Sequence, residues 1–149
     1  MSEHRVKLNW SLGEGSFDYR SYSRDHEWHF KNGVVIIASA APQFRGSELR
    51  VDPEEAFVGS LSSCHMLTFL AICANRGIEV LSYADDAVGF LKEGPLGKLV
   101  ISEVELRPVV VFGVGASVSR DELEALHNDS HHDCFLANSV KTEIKIIID

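Results

Sequence analysis

The 149-residue chain contains no Lys/Arg run, and its 14 basic residues are outnumbered by 22 acidic ones, for a formal charge of −8. Such a surface repels phosphate backbones, so nucleic acid is not an expected partner. No uninterrupted apolar stretch reaches the ~20 residues that cross a bilayer. Met1 to Trp10 alternates charged and apolar residues without the apolar core of a signal peptide. No membrane partner and a cytoplasmic location are therefore expected. There is no CxxC; the three cysteines are Cys64, Cys73 and Cys134. In a reducing compartment they are expected as free thiols, any disulfide being transient and functional. Gly13-Glu14-Gly15-Ser16 and Gly113-Val114-Gly115 lack the frame and the Lys-Ser/Thr of a phosphate loop and read as turns. Repeats, low-complexity tracts and linkers are also missing, and the length fits one domain over residues 1–149.

What remains is an ordinary globular composition, 45% hydrophobic and 24% charged. At this length a folded chain buries roughly 70% of its unfolded surface. Val6, Leu8 and Trp10 alternate with polar residues, the period of a strand with one buried face. A second strand is expected over 17–23, a third over 26–30, and Asn32-Gly33 predicts a hairpin into Val34–Ala38. Asp52-Pro53-Glu54-Glu55 has helix-start chemistry: a capping acid, a proline at the first turn and two acids on the dipole. From Ala56 to Ala74 the residues are small or apolar nearly all round, which predicts a helix buried on every side. Two long strands, 78–91 and 99–112, then form a hairpin across Gly94-Pro95-Leu96-Gly97. Ser119-Arg120-Asp121-Glu122 fits a capping box opening a short helix that Asp129–His132 breaks. A further short helix over 134–139 and a last strand over 141–148 complete an α+β order.

Cys64 and Cys73, nine residues apart, would be ~13 Å apart along one helix and face opposite ways, so they cannot pair. Cys73, between Ile72 and Ala74, reads as a core side chain. His127, His131, His132 and Cys134 are closely spaced, yet the second thiol is distant, and a zinc site needs three or four suitably spaced ligands. These histidines are expected on a polar helix end or at the mouth of a site, with no metal.

Two segments carry a family resemblance. Asp52-Pro53-Glu54-Glu55-Ala56-Phe57 with Ser60-Leu61-Ser62-Ser63-Cys64-His65-Met66 resembles the first-cysteine signature of the OsmC/Ohr proteins, the osmotically induced and organic-hydroperoxide-resistance family. His132-Asp133-Cys134-Phe135-Leu136-Ala137-Asn138-Ser139-Val140 resembles its second-cysteine segment. The resemblance implies an OsmC-like α+β fold, antiparallel sheets wrapped around a long buried central helix in an intertwined homodimer. It also implies a thiol peroxidase that reduces organic or lipid hydroperoxides to alcohols without a cofactor. On it, Cys64 corresponds to the peroxidatic cysteine and Cys134 to the resolving one. Their disulfide would be reopened by an external dithiol, dihydrolipoamide in Ohr relatives. Glu54 and Arg24 match the active-site glutamate and arginine, with Arg20 and Arg45 as rival cations; the OsmC and Ohr branches are not distinguished.

The residue chemistry is compatible. A peroxidatic thiol must ionise below its usual pKa of about 8.5, whereas an apolar helix pushes it up. No Lys or Arg lies near Cys64 on the helix, so a cation must come from elsewhere, and Glu54 can hold a guanidinium bidentately. Ten residues of unbroken helix would separate Glu54 from Cys64 by ~15 Å. Either the helix breaks near Gly59-Ser60 or the glutamate serves the other subunit, which is the reading we favour. Leu61, Met66 and Leu67 suit an alkyl or lipid hydroperoxide better than hydrogen peroxide. The competing expectation is a non-peroxidatic relative, a small-molecule or lipid binder or a redox sensor, built on the same cavity.

Overall fold

The computed structural model describes residues 1–148, in the order β1 (Lys7–Asn9), β2 (His26–His29), β3 (Val35–Ala38), α1 (Pro53–Asn75), β4 (Val80–Asp85), β5 (Val88–Glu93), β6 (Leu99–Leu106), β7 (Pro108–Phe112), α2 (Arg120–Asp133) and β8 (Glu143–Ile146). The described residues gather into two compact units, Met1–Ala56 and a second that begins at Phe57.

In the first unit β1, β2 and β3 form an antiparallel meander, with Leu8 opposite Trp28 and Trp28 opposite Ile36. The hairpin turns at Asn32 (φ 62°) and Gly33 (φ 75°), the left-handed pair this turn requires. Two expectations fail here. The strand over 17–23 is absent: Asp18 instead closes a turn, its carbonyl accepting from Ser21 and Tyr22 and its carboxylate from the Arg20 N–H. The apolar face of β1 is not buried either, since Leu8 and Trp10 are exposed. After β3, a one-turn helix at Pro42–Phe44 and a bridge from Ala38 to Val51 fold the loop back.

α1 starts as its residues dictate. The Asp52 carboxylate accepts the Glu55 N–H at 2.7 Å while Glu55 Oε2 accepts the Asp52 N–H at 3.2 Å, a reciprocal cap. The helix then runs unbroken to Asn75, so no break occurs at Gly59-Ser60. It is not buried on every side: only Leu61, His65, Phe69 and Cys73, one stripe at four-residue spacing, are enclosed, and Leu67 is 60% exposed. By length and composition α1 could cross a membrane, a property that a count of uninterrupted apolar residues does not register. Two of its polar side chains, Ser62 and His65, are instead hydrogen-bonded to other elements of the chain.

The second unit corrects the long-hairpin expectation. Each predicted strand is two: β4 pairs β7, β5 pairs β6, and the sheet divides at Asp85-Asp86 and Arg107-Pro108. Pro108 has no N–H to continue the ladder, and the Asp85 carboxylate accepts the Arg107 N–H at 2.6 Å across the division. β8 lies parallel to β6, so this sheet is not wholly antiparallel. Lys145 bonds Glu103 at 2.8 Å on the neighbouring strand. Leu61 packs with Val104 and Leu106, and Phe69 and Cys73 with Leu126 of α2. Each such apolar side chain contributes about 1.5–3 kcal/mol by leaving water. α2 opens on the predicted box, Ser119 and Glu122 capping each other at 3.3 and 2.8 Å. It does not break at Asp129–His132 but continues to Asp133, with Ser130 Oγ donating back to the Leu126 carbonyl.

Candidate functional site

Cys64 lies midway along α1, and Cys134 is the residue on which α2 ends. The extra turn of α2 matters, because it delivers Cys134 to α1. The two sulfurs stand 2.9 Å apart, Cys134 Sγ–H donating to Cys64 Sγ, with neither in a disulfide. Cys64 is half-buried and Cys134 is 1% exposed. Burial, and then its bond to Cys64, pushes the Cys134 thiol up from its ordinary pKa. The turn behind it is fixed locally: Ala137 N–H donates to Cys134 Sγ at 3.5 Å, Asn138 N–H to the Cys134 carbonyl at 3.0 Å, and the Asn138 side chain to the His132 carbonyl at 2.8 Å. Cys73 sits in the core away from this pair, its thiol also pushed up by burial.

One feature of the second unit escaped the sequence. His65 and His127, both 1% exposed, join α1 to α2 through Nε2 and Nδ1 at 3.0 Å, their rings 6° from parallel. Phe69 stacks on His127 at 4.4 Å. Burial pushes both imidazoles down to about 4, so both are neutral at neutral pH. His127 Nε2, His131 Nδ1 and Tyr83 Oη are buried without a partner among the described residues. The Tyr83 hydroxyl is pushed up by burial and by Asp85. His127 is therefore not at a polar helix end, although the exposed His132 is. The signal was present: His65 falls at the four-residue spacing of Leu61, Phe69 and Cys73. No group of three metal-ligating side chains is assembled among the described residues.

In the first unit, Arg24 and Glu54 line one cavity of about 440 Å³ whose walls include Trp10, Phe17, Tyr22 and Phe44. Neither Arg20 nor Arg45 lines it. Glu55, not Glu54, forms the helix cap, which leaves the Glu54 carboxylate for the cavity wall. The bidentate Arg24–Glu54 pairing is not made. The guanidinium donates to the carbonyls of Tyr19 and Tyr22 and lies 3.8 Å over the Tyr22 ring. Arg45, at φ 66°, reaches the Tyr19 ring at 5.8 Å.

Residues 46–149 match the OsmC-like protein family. No curated protein matches significantly. Among solved structures, an OsmC-like protein of unknown function from Vibrio cholerae is 44% identical over all of both chains, with a TM-score of 0.96. An organic hydroperoxide resistance protein OsmC from Legionella pneumophila is 14% identical over 100% of this chain and 98% of that one, at a TM-score of 0.77. The organic hydroperoxide resistance protein OhrB of Bacillus subtilis is 14% identical over 99% and 98%, at 0.72. The last two share the fold with this chain.

Proposed function

The chain belongs to the OsmC-like protein family, and from that premise we propose that it is a cysteine peroxidase acting on organic hydroperoxides. The observation that carries the reading is the pair of unbonded sulfurs 2.9 Å apart, one half-exposed and one buried. In the proposed cycle the Cys64 thiolate attacks the terminal peroxide oxygen and the O–O bond breaks. Cys64 becomes a sulfenic acid, and the alkoxide takes a proton to leave as the alcohol. Cys134 then attacks the sulfenic sulfur; the new S–S bond, ~2 Å long, forms as water departs. The approach this requires, about 1 Å from the present separation, is a side-chain movement, not a refolding. An external dithiol, dihydrolipoamide in Ohr relatives, reopens the disulfide by exchange and is itself oxidised.

Arg24 is the proposed activating cation, because it alone of the three candidate arginines lines the aromatic cavity. Glu54, which lines the same cavity, would take the guanidinium when it leaves the carbonyls of Tyr19 and Tyr22. We propose a homodimer in which this cavity of one chain serves the thiols of the other. The continuity of α1 through both Glu54 and Cys64 supports that sharing. The cavity's apolar walls support an alkyl or lipid hydroperoxide as substrate, in a reducing cytoplasm.

Titrating free thiols after stoichiometric tert-butyl hydroperoxide tests this. Two thiols per chain should vanish and return with dithiol, and kcat/KM should be higher for tert-butyl or cumene hydroperoxide than for hydrogen peroxide. No rapid thiol loss would favour the second reading, a non-peroxidatic binder of small apolar molecules, which the same cavity supports.

A further inference from the structure

The peroxidase cycle leaves one buried assembly unused. His65 and His127 are both 1% exposed and lie next to Phe69 in the cluster that holds α2 on α1. Burying two imidazoles costs stability unless they are paired. A polar pair retained in an apolar seam confers direction instead: a 3.0 Å bond between nearly parallel rings sets both the spacing and the rotation of its helices. Its placement relates it to the thiols. His65 directly follows Cys64 on α1. His127 precedes Cys134 by seven residues, which at 100° per residue returns to within about 20° of the same face of α2, ~10 Å along its axis. α1 and α2 thus meet at two polar points, imidazole to imidazole and sulfur to sulfur.

We propose that His65 and His127 are positioning residues for the resolving step, their hydrogen bond holding α2 so that Cys134 stays within reach of Cys64. Among the described residues, neither imidazole is hydrogen-bonded to a cysteine sulfur. The claim rests on the thiol-peroxidase reading for its biological purpose, but the geometry it asserts governs closure of the Cys64–Cys134 disulfide by any oxidant. The other ties do not set direction: the packing of Leu126 on Phe69 and Cys73 is apolar and non-directional, and the Arg76–Asp129 ion pair just past the end of α1, at 2.6 Å, is about half exposed on both sides, where such pairs contribute little.

The test separates the two steps. His127→Phe keeps the stacking on Phe69 and loses the Nδ1 partner. His127→Asn places an amide where Nδ1 stood, and His65→Gln places one where Nε2 stood. Sulfenic acid on Cys64 is trapped with dimedone to time the first step, and disulfide closure is timed by acid quench and mass spectrometry. His127→Phe should leave the first step within about twofold and slow closure about tenfold, the factor one lost hydrogen bond of ordinary strength carries. The Asn and Gln variants should close at close to the parent rate. Closure in His127→Phe at the parent rate, equal slowing of both steps, or failure of the amides to restore closure overturns the proposal. If His127→Phe does not fold, His65→Met breaks the same bond from α1 and is read the same way. If the parent loses no thiol to hydroperoxide, the peroxidase reading fails by itself. Closure is then driven with diamide, which takes two electrons and two protons from the thiol pair, and the same variants decide the positioning claim.

Discussion

Mild acid should destabilise this protein through two side chains. His65 and His127 each have a pKa of about 4 in the fold against an ordinary 6.5, burial being the main cause. The groups facing them are few. His127 and His131 disfavour a charged His65, Asp85 favours a charged His127, and the Tyr83 hydroxyl stays protonated. Between pH 6.5 and 4 the unfolded chain binds protons at both imidazoles and the native chain does not. The stabilisation is therefore complete above pH 6.5, is lost as pH falls toward 4, and changes no further below it. One pH unit inside that window costs ~1.4 kcal/mol per imidazole, so the whole window costs about 3 kcal/mol for each. That is a large part of a typical domain stability of roughly 5–15 kcal/mol. The assay is urea unfolding at one fixed protein concentration between pH 7 and 4.5, for the parent and for a His65→Gln/His127→Asn double variant. Carboxylates common to both contribute equally and cancel in the comparison. The parent should lose stability more steeply, by roughly 1–3 kcal/mol per pH unit. Parallel curves through the window would refute the claim that the two imidazoles are buried and neutral.

Three further outcomes are expected. Cys134→Ser should still form a Cys64 sulfenic acid with one equivalent of organic hydroperoxide, trappable with dimedone, but should lose at least most of its dithiol-driven turnover; undiminished turnover would remove Cys134 from the cycle. Gly46→Ala should unfold or rearrange the first unit, because a Cβ there would lie 1.5 Å from the Ala40 carbonyl oxygen; the near-ultraviolet circular dichroism of Trp10 and Trp28 reads this, and an unchanged spectrum with unchanged Tm would count against so close an approach of the loop to Ala40. Phe69→Ala removes a fully buried ring that also stacks on His127, so it should cost about 3–5 kcal/mol in denaturant unfolding; a cost under about 1 kcal/mol would show the ring to be far less enclosed.

Much of this was legible because local rules act on local residues. The two helix starts are written as Asp52-Pro53-Glu54-Glu55 and Ser119–Glu122, and both form as reciprocal caps. Asn32-Gly33 encodes a turn that needs left-handed backbone, and it is there. The misreadings came where local patterns compete. Phe17–Ser23 alternates like a strand, but the Asp18 side chain closes a turn on it first. Ile78–Leu91 reads as one strand because periodicity does not register which sheet a residue joins; the division at Asp85-Asp86 is made by the Arg107 N–H and by Pro108 on the opposite chain segment. Asp129–His132 looks like a helix breaker, yet Leu126 and Ser130 are buried and carry α2 through it.

By itself, the sequence determined the Asn32-Gly33 turn, the two helix starts and the two cysteine segments that mark the family, since each depends on residues within a few positions of one another. Only the tertiary structure decided that Cys134, seventy positions from Cys64, has its sulfur 2.9 Å away, and that His65 meets His127. The sulfur and imidazole contacts join elements distant in sequence, and no periodicity encodes them: they follow from where the packed helices and strands leave room.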